Sequence, residues 1–417
     1  MTNGVHEESG NTRLTDAMWW VVRCVVLAGV MFLVVAGSVI GDPLAEVDSL
    51  VTARQYETAF NKLDSLDSEN SDPTIVVKKV DLALKYFVKS INHVMFAFAD
   101  LRPNDDLDVL RDGTGSFTIR FVTPDDILSK LIESHPNDGR LYRALGDYYY
   151  EVYSKYGSLG NLDSAGLITQ TMTNYLRADS LGAMTDESLG HLGVTFLTEG
   201  RLDDARVYLE KAIAVNPEYP DAHYNMAYIY FQQRMPEKAL PFAEKSYRLY
   251  DDPILKSEAA RMTAVCRMDL SDYESAIPIL LDADRLEPDN YLNIRNLIWA
   301  YLHTGDQDAM NSSVLKLFSL DPGNPTTLQM ILSDYYEAEH QQEIPGVLSR
   351  LKVEFQQAPD ALGNIFFYWA VYCQDQEQYG PASSFLDSAE VEFRKCKPDT
   401  SSAFDAIRQH REMLKGK

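Results

Sequence analysis

Positive charge is scarce in this sequence. Its 417 residues include 38 Lys and Arg against 62 Asp and Glu, which gives a formal net charge of −24. So acidic a surface repels phosphate backbones, and nucleic acid is therefore not an expected partner. The charge itself is typical of a soluble surface.

Cysteine is rarer still. The chain has four cysteines, no Cys-x-x-Cys pair and no histidine at ligand spacing from them, so no metal site is predicted. Cys373 and Cys396 are expected at opposite ends of a helix hairpin, too far apart to form a disulfide.

Catalytic motifs are also missing. The sequence has no Gly-rich phosphate loop, no Gly-x-Ser-x-Gly and no His-Glu-x-x-His, and its eight histidines are scattered. Acid pairs such as Asp203-Asp204 stand where helices begin, and there carboxylates favour the positive end of the helix dipole. We therefore predict no catalytic residue, no cofactor and no small-molecule substrate.

What the sequence does contain is a repeated pattern of small residues, aromatics and prolines. It begins at Gly193, Phe196, Gly200, Ala205, Ala212 and Pro217. Small and aromatic residues recur at corresponding positions in copies at 220–253, 257–290 and 291–324, with weaker copies on either side. Each copy holds two helix-length segments joined by a polar turn, for example Glu199-Gly200-Arg201.

This pattern predicts pairs of antiparallel helices. Small residues such as Gly193 and Ala205 let the two helices of a pair approach closely. Proline cannot continue a helix, so Pro217, Pro288 and Pro322 are predicted to follow the ends of the second helices. A single pair leaves an apolar face uncovered, and the copies must therefore stack.

The repeat resembles the tetratricopeptide repeat family. The resemblance implies an all-α, right-handed superhelical solenoid of helix hairpins, which we place at 138–398 and close with a capping helix at 399–417. It also implies that the first helices line a concave groove.

The N-terminal part has a different character. Residues 1–17 are polar and predicted to be a disordered tail, whereas 18–41 are almost wholly apolar and long enough to span a bilayer. We interpret 18–41 as a transmembrane helix or signal anchor, with a cleavable signal peptide as the alternative. Flanking charges favour a single-pass protein with a cytoplasmic N-terminus and an extracytoplasmic repeat domain; cleavage would make it secreted or periplasmic.

Residues 42–137 are predicted to be a helical region with an irregular loop at 102–123. Thr74 to Leu101 is predicted as one long helix carrying four lysines. A helix packed in the core is favoured for it over one lying on a membrane surface. Residues 117–121 alternate like a strand, but no partner strand is visible.

Aromatic and arginine side chains dominate the predicted groove, and such residues anchor protein interfaces. The predicted partner-binding residues are Tyr224, Asn225, Tyr228, Phe231, Arg261, Met268, Arg295, Asn296, Trp299 and Leu302. Arg261 and Arg295 would form a local positive spot for an acidic peptide. The Lys and Asn pair with which chaperone-tail-binding members of the family hold a terminal carboxylate is missing.

These features favour a non-enzymatic, membrane-tethered scaffold that binds proteins or peptides at the cell envelope. Two alternatives stay open: an accessory subunit or repeat-borne hydrolase with an unrecognised active site, and a self-assembling envelope component. A groove filled by the chain's own N-terminal helix is a further alternative to peptide binding.

Overall fold

A computed structural model describes residues 42–113 and 115–415. These residues form two compact units, the first ending at Met184 and the second beginning at Thr185. The predicted tail at 1–17 and the predicted transmembrane helix at 18–41 lie outside the described residues. Within the described ranges, no helix has both the length and the apolar character needed to cross a bilayer.

The first unit combines helices with a small antiparallel sheet. Its helices are α1 (Pro43–Thr52), α2 (Tyr56–Leu66), α3 (Pro73–Tyr86), α4 (Leu107–Asp112), α5 (Pro124–Ser134), α6 (Gly139–Tyr156) and α7 (Ser164–Ser180). Its strands are β1 (Lys89–Ile91), β2 (Met95–Ala97) and β3 (Arg120–Phe121), paired in the order β1-β2-β3.

Helix α3 belongs to the core of this unit, as favoured above. Val76 and Val80 are buried in the main apolar cluster. Even Lys79 is buried: its Nζ donates to the Asp67 carbonyl at 2.5 Å and to Asn70 Oδ1 at 2.8 Å. A buried ammonium must be hydrogen-bonded, and these contacts supply the hydrogen-bond acceptors that Lys79 needs from within the protein.

The prediction of one helix from Thr74 to Leu101 is wrong. The helix ends at Tyr86, and the chain then forms the β1-β2 hairpin, in which Ile91 pairs with Met95. Asn92 and His93 turn the hairpin with φ values of 52° and 51°, a conformation that Asn adopts more readily than most residues. The β3 strand pairs with β2, so the strand-like segment does have a partner and the fold is mostly helical rather than all-α.

The second unit is a succession of helix pairs. They are α8 (Asp186–Thr198) with α9 (Leu202–Val215), α10 (Pro220–Gln232) with α11 (Pro236–Leu249), α12 (Pro253–Asp269) with α13 (Tyr273–Leu286), α14 (Tyr291–Thr304) with α15 (Gln307–Leu320), α16 (Pro325–Glu337) with α17 (Ile344–Glu354), and α18 (Pro359–Asp375) with α19 (Tyr379–Phe393). A short 3₁₀ turn, Gln341–Glu343, precedes α17, and α20 (Ser402–Leu414) follows the last pair.

The small residues and prolines act as predicted. A Cβ added at Gly193 would lie 2.8 Å from Leu209 Cγ and 3.4 Å from the Ala205 carbonyl oxygen, so only glycine lets α8 and α9 pack this closely. Pro217 and Pro288 each stand two residues beyond the last residue of a helix. Each pair contacts the next, and the unit is therefore a solenoid of stacked helix pairs.

Helix α20 packs on the end of this stack. Phe404 and Ile407 are buried in one apolar cluster with Phe393 of α19. The last pair thus has part of its outer apolar surface covered, as a stack of repeats requires at its end.

Candidate partner-binding face

The first helices α10, α12 and α14 carry the predicted binding residues. Tyr228 is 39% exposed, and most of the others are half-buried on the surface. Two predictions are wrong: Met268 is 7% and Leu302 is 2% exposed. Both side chains belong to the main apolar cluster of the second unit, so they support the helices instead of facing a ligand.

Tyr224, Tyr228 and Arg261 are brought together by the packing of α10 beside α12. Burial raises the pKa of the Tyr224 hydroxyl; nearby Glu258 raises it further, and Arg261 acts in the opposite direction. Glu258 stands one turn before Arg261 on α12 and belongs to the same group, although the sequence pattern had not singled it out. We call Tyr224, Tyr228, Glu258 and Arg261 the α10–α12 cluster.

The guanidinium of Arg261 reaches the next first helix. Its Nη1 donates to Asn293 Oδ1 at 3.4 Å, and the Asn293 amide donates in turn to Ser257 Oγ at 3.0 Å. Across residues 42–113 and 115–415, Arg261 has no carboxylate within salt-bridge distance. Its positive charge is therefore not neutralised by an ion pair, although Glu258 stands one turn away on the same helix.

Arg295 is different, because the protein already neutralises it. Its Nε and Nη2 donate to the two carboxylate oxygens of Asp334, at 2.9 and 2.6 Å. The pKa of the Arg295 guanidinium is raised by this hydrogen bonding. Asp334 is 2% exposed and lies on α16, so the bidentate pair joins α14 to α16. The predicted positive spot is thus reduced to Arg261.

Two of the remaining predicted residues, Asn225 and Trp299, have internal partners. Asn225 Nδ2 donates to the Asp221 carbonyl in its own helix at 2.8 Å. The Trp299 ring lies 4.7 Å from the His303 ring, and Trp299 packs against the main apolar cluster of the second unit. Phe231 and Asn296 are half-buried.

In the first unit, Arg143 lies between two carboxylates, at 3.1 Å from Asp81 and 2.7 Å from Asp147. The Tyr175 hydroxyl donates to the other oxygen of Asp147 at 2.7 Å. This network holds α3, α6 and α7 together.

A small cavity lies further along the row of first helices in the second unit. It lies between α16 and α18 and has a volume of about 160 Å³. Its lining residues are Gln329, Leu332, Ser333, Tyr336, Tyr368, Val371 and Tyr372. None of these seven residues is charged.

Candidate metal ligands do not cluster in the described part of the chain, where no group of three or more His, Cys, Asp or Glu is placed to hold an ion. Cys266, Cys373 and Cys396 are free thiols. Burial raises the pKa of the Cys266 thiol to about 12, so it stays protonated and behaves as a small apolar side chain.

Comparison with known proteins agrees with this architecture. A family model described as TPR repeat matches residues 193–233, and a model described as tetratricopeptide repeat matches residues 220–253. Residues 193–253 therefore match tetratricopeptide repeats. No curated protein matches it.

Several solved structures are similar to part of the chain. YrrB, described as a TPR protein with an unusual peptide-binding site, shares 16% identity over 48% of this chain and 96% of its own, with a TM-score of 0.41. PilF of Pseudomonas aeruginosa shares 19% identity over 50% of this chain and 88% of its own, with a TM-score of 0.40. A tetratricopeptide repeat protein from Parabacteroides merdae shares 13% identity over 65% of this chain and 98% of its own, with a TM-score of 0.41.

Proposed function

We propose that this protein is a membrane-tethered scaffold whose second unit binds an acidic segment of a partner protein across α10, α12 and α14. Tetratricopeptide repeats present their first helices as a continuous surface, and stacking in a right-handed superhelix would make that surface concave. The α10–α12 cluster and Arg261 occupy this row of helices.

Arg261 carries the proposal. The other arginine of α12 with internal contacts, Arg267, already pairs with Glu244 at 2.6 Å and Asp272 at 2.8 Å. Arg295 pairs with Asp334. Arg261 alone of these three has an amide oxygen as its hydrogen-bond acceptor, and an amide oxygen carries no negative charge that would neutralise the guanidinium.

The surroundings of Arg261 suit a peptide carboxylate. A guanidinium binds a carboxylate with two parallel hydrogen bonds, and the neighbouring Tyr224 and Tyr228 rings can cover the apolar part of a peptide. Glu258 beside them would repel a ligand with continuous negative charge. We therefore expect one or two acidic residues within a partly apolar segment, rather than a polyanion.

Peptide selection tests this proposal directly. Random 16-residue peptides displayed on phage are selected against the full chain in nanodiscs, and the best binder is measured by fluorescence anisotropy. We expect enrichment of Asp or Glu at one position, and a loss of affinity of about 10- to 100-fold in Arg261→Glu, the range for a charge-assisted hydrogen-bonded pair.

Arg248→Glu is the matched control, because Arg248 is exposed on the second helix α11. It should keep the affinity of the wild type. Selection of the same peptides with equal affinity by wild type and Arg261→Glu would refute the assignment of the binding face.

Membrane tethering is the second part of the proposal, and it depends on the apolar run at 18–41. A single-pass helix with the N-terminus in the cytoplasm would hold the repeats outside it. We expect the chain to stay in the membrane fraction after carbonate extraction, and protease added outside the cell to digest the repeats. Release of an intact, shortened chain would show cleavage of a signal peptide instead.

A further inference from the structure

The cavity between α16 and α18 has the features of a side-chain pocket. Leu332, at its base, is buried, whereas Gln329 and Ser333 at its edge are exposed. It therefore opens to solvent while its base is part of the apolar core.

The walls of this pocket are held in place. Tyr336 donates a hydrogen bond from its hydroxyl to Asp375 Oδ2 at 2.9 Å, which fixes one wall across the two helices. Tyr368 and Tyr372 pack against the main apolar cluster on the opposite side. A pocket with fixed walls needs little ordering when a ligand enters, and less binding free energy is lost.

Size and chemistry select the occupant. A cavity of about 150 Å³ lined by apolar side chains is large enough to hold a benzene ring, and this one has about 160 Å³. Its lining is uncharged, and Asp375 beside it disfavours an anion. A Leu or Phe side chain fits these conditions.

The pocket continues the proposed binding face. The Arg295–Asp334 pair joins α14 to α16, and α16 forms one side of the pocket. Neighbouring helices lie about 8–10 Å apart, so the pocket is roughly 20–25 Å from Arg261. An extended peptide advances about 3.3 Å per residue and covers this distance in about seven residues.

We infer that the pocket between α16 and α18 takes a Leu or Phe side chain from the same partner segment whose carboxylate pairs with Arg261, about seven residues away along the peptide. This inference rests on the proposed function, since it uses the same ligand. It adds the second specificity element and the spacing between the two.

The test uses the 16-residue peptide library with the full chain in nanodiscs. Ser333→Phe fills the pocket from its exposed edge, and Ser383→Phe, at an exposed position on α19, is the matched control. We expect wild type and Ser383→Phe to enrich an acidic residue together with Leu or Phe six to eight positions away. Ser333→Phe should keep the acidic preference and lose the apolar one, with an affinity for the wild-type peptide lower by about 10- to 100-fold.

A second variant makes the test independent of a loss of binding. Val371→Ala enlarges the pocket and should shift the selected apolar residue from Leu towards Phe or Trp. An acidic preference with no apolar partner, unchanged in both pocket variants, would overturn this inference and leave the proposed function intact. Peptides that bind regardless of Arg261 would overturn both.

Discussion

The pair formed by Arg295 and Asp334 gives the sharpest prediction about stability. Asp334 is 2% exposed, and both its oxygens accept hydrogen bonds from Arg295, whose side chain is 36% exposed. Arg295→Met would leave a buried carboxylate without its partner. Removing one member of a buried ion pair costs about 3–5 kcal/mol, and the partial exposure of Arg295 reduces our expectation to about 2–4 kcal/mol.

The converse change should cost less. In Asp334→Asn the guanidinium of Arg295 can turn to solvent, and we expect a loss of about 1–2 kcal/mol. Combining Arg295→Met with Asp334→Asn removes the buried charge altogether, so the double variant should be more stable than Arg295→Met alone.

Urea unfolding followed by circular dichroism measures all four proteins of this cycle. Wild type should unfold at the highest urea concentration and Arg295→Met at the lowest. If Arg295→Met loses less than about 0.5 kcal/mol, or no more than Asp334→Asn, the pair does not hold α14 to α16 as the distances indicate.

Two further predictions concern packing and pH. Gly363→Ala should destabilise the protein by about 1–3 kcal/mol, because its Cβ would lie 2.4 Å from the Phe393 ring; Gly346→Ala, in open space on α17, should be neutral or stabilise by up to about 1 kcal/mol in the same urea assay. His93 is fully buried, and burial lowers its pKa from 6.5 to about 4. As the pH falls, the unfolded chain therefore binds a proton at a higher pH than the folded chain does. The free energy of unfolding should fall by about 3 kcal/mol from pH 6.5 to 4. His93→Asn, which tolerates the same positive φ, should lack this part of the pH dependence; identical profiles for the two proteins would contradict the burial of a neutral imidazole.

The helix pairs of the second unit could be predicted because their signal is local and repeated. Gly193 and Ala205 indicate a close approach of two helices, and Pro217 indicates the end of a helix. The same residue types recur about one repeat later. Helix pairing depends on contacts between neighbours in sequence, and such contacts leave a periodic trace.

The β1-β2 hairpin could not be predicted from the same kind of pattern. Apolar residues are spread along 74–101 with lysines among them, and this pattern alone does not distinguish a helix from strands. Asn92-His93 is a less obvious turn than Asn-Gly, although both residues adopt the left-handed conformation here.

The side chains exposed on the first helices were predicted only in part, for a physical reason. Periodicity indicates which side of a helix a residue occupies, but not how deeply neighbouring helices cover it, and Met268 and Leu302 are covered. Charge pairing was equally hidden, because Asp334 stands 39 positions from Arg295. An acidic residue close to the apolar residues Ile331, Leu332 and Tyr335 was the one sign of a buried carboxylate with a cationic partner.

The central claim is that the face around Arg261 binds an acidic segment of another protein. The most direct measurement places the photoreactive residue benzoylphenylalanine at Tyr228, which is 39% exposed, and at Val391 of α19, which is 57% exposed, as the control. After irradiation of intact cells, mass spectrometry identifies the attached peptide. We predict that the photoreactive residue at position 228 attaches to a segment of another protein with Asp or Glu near the attachment point. The same residue at position 391 should not attach to this segment. Attachment of Tyr228 to residues 1–41 of its own chain, or the same products from both positions, would contradict the claim.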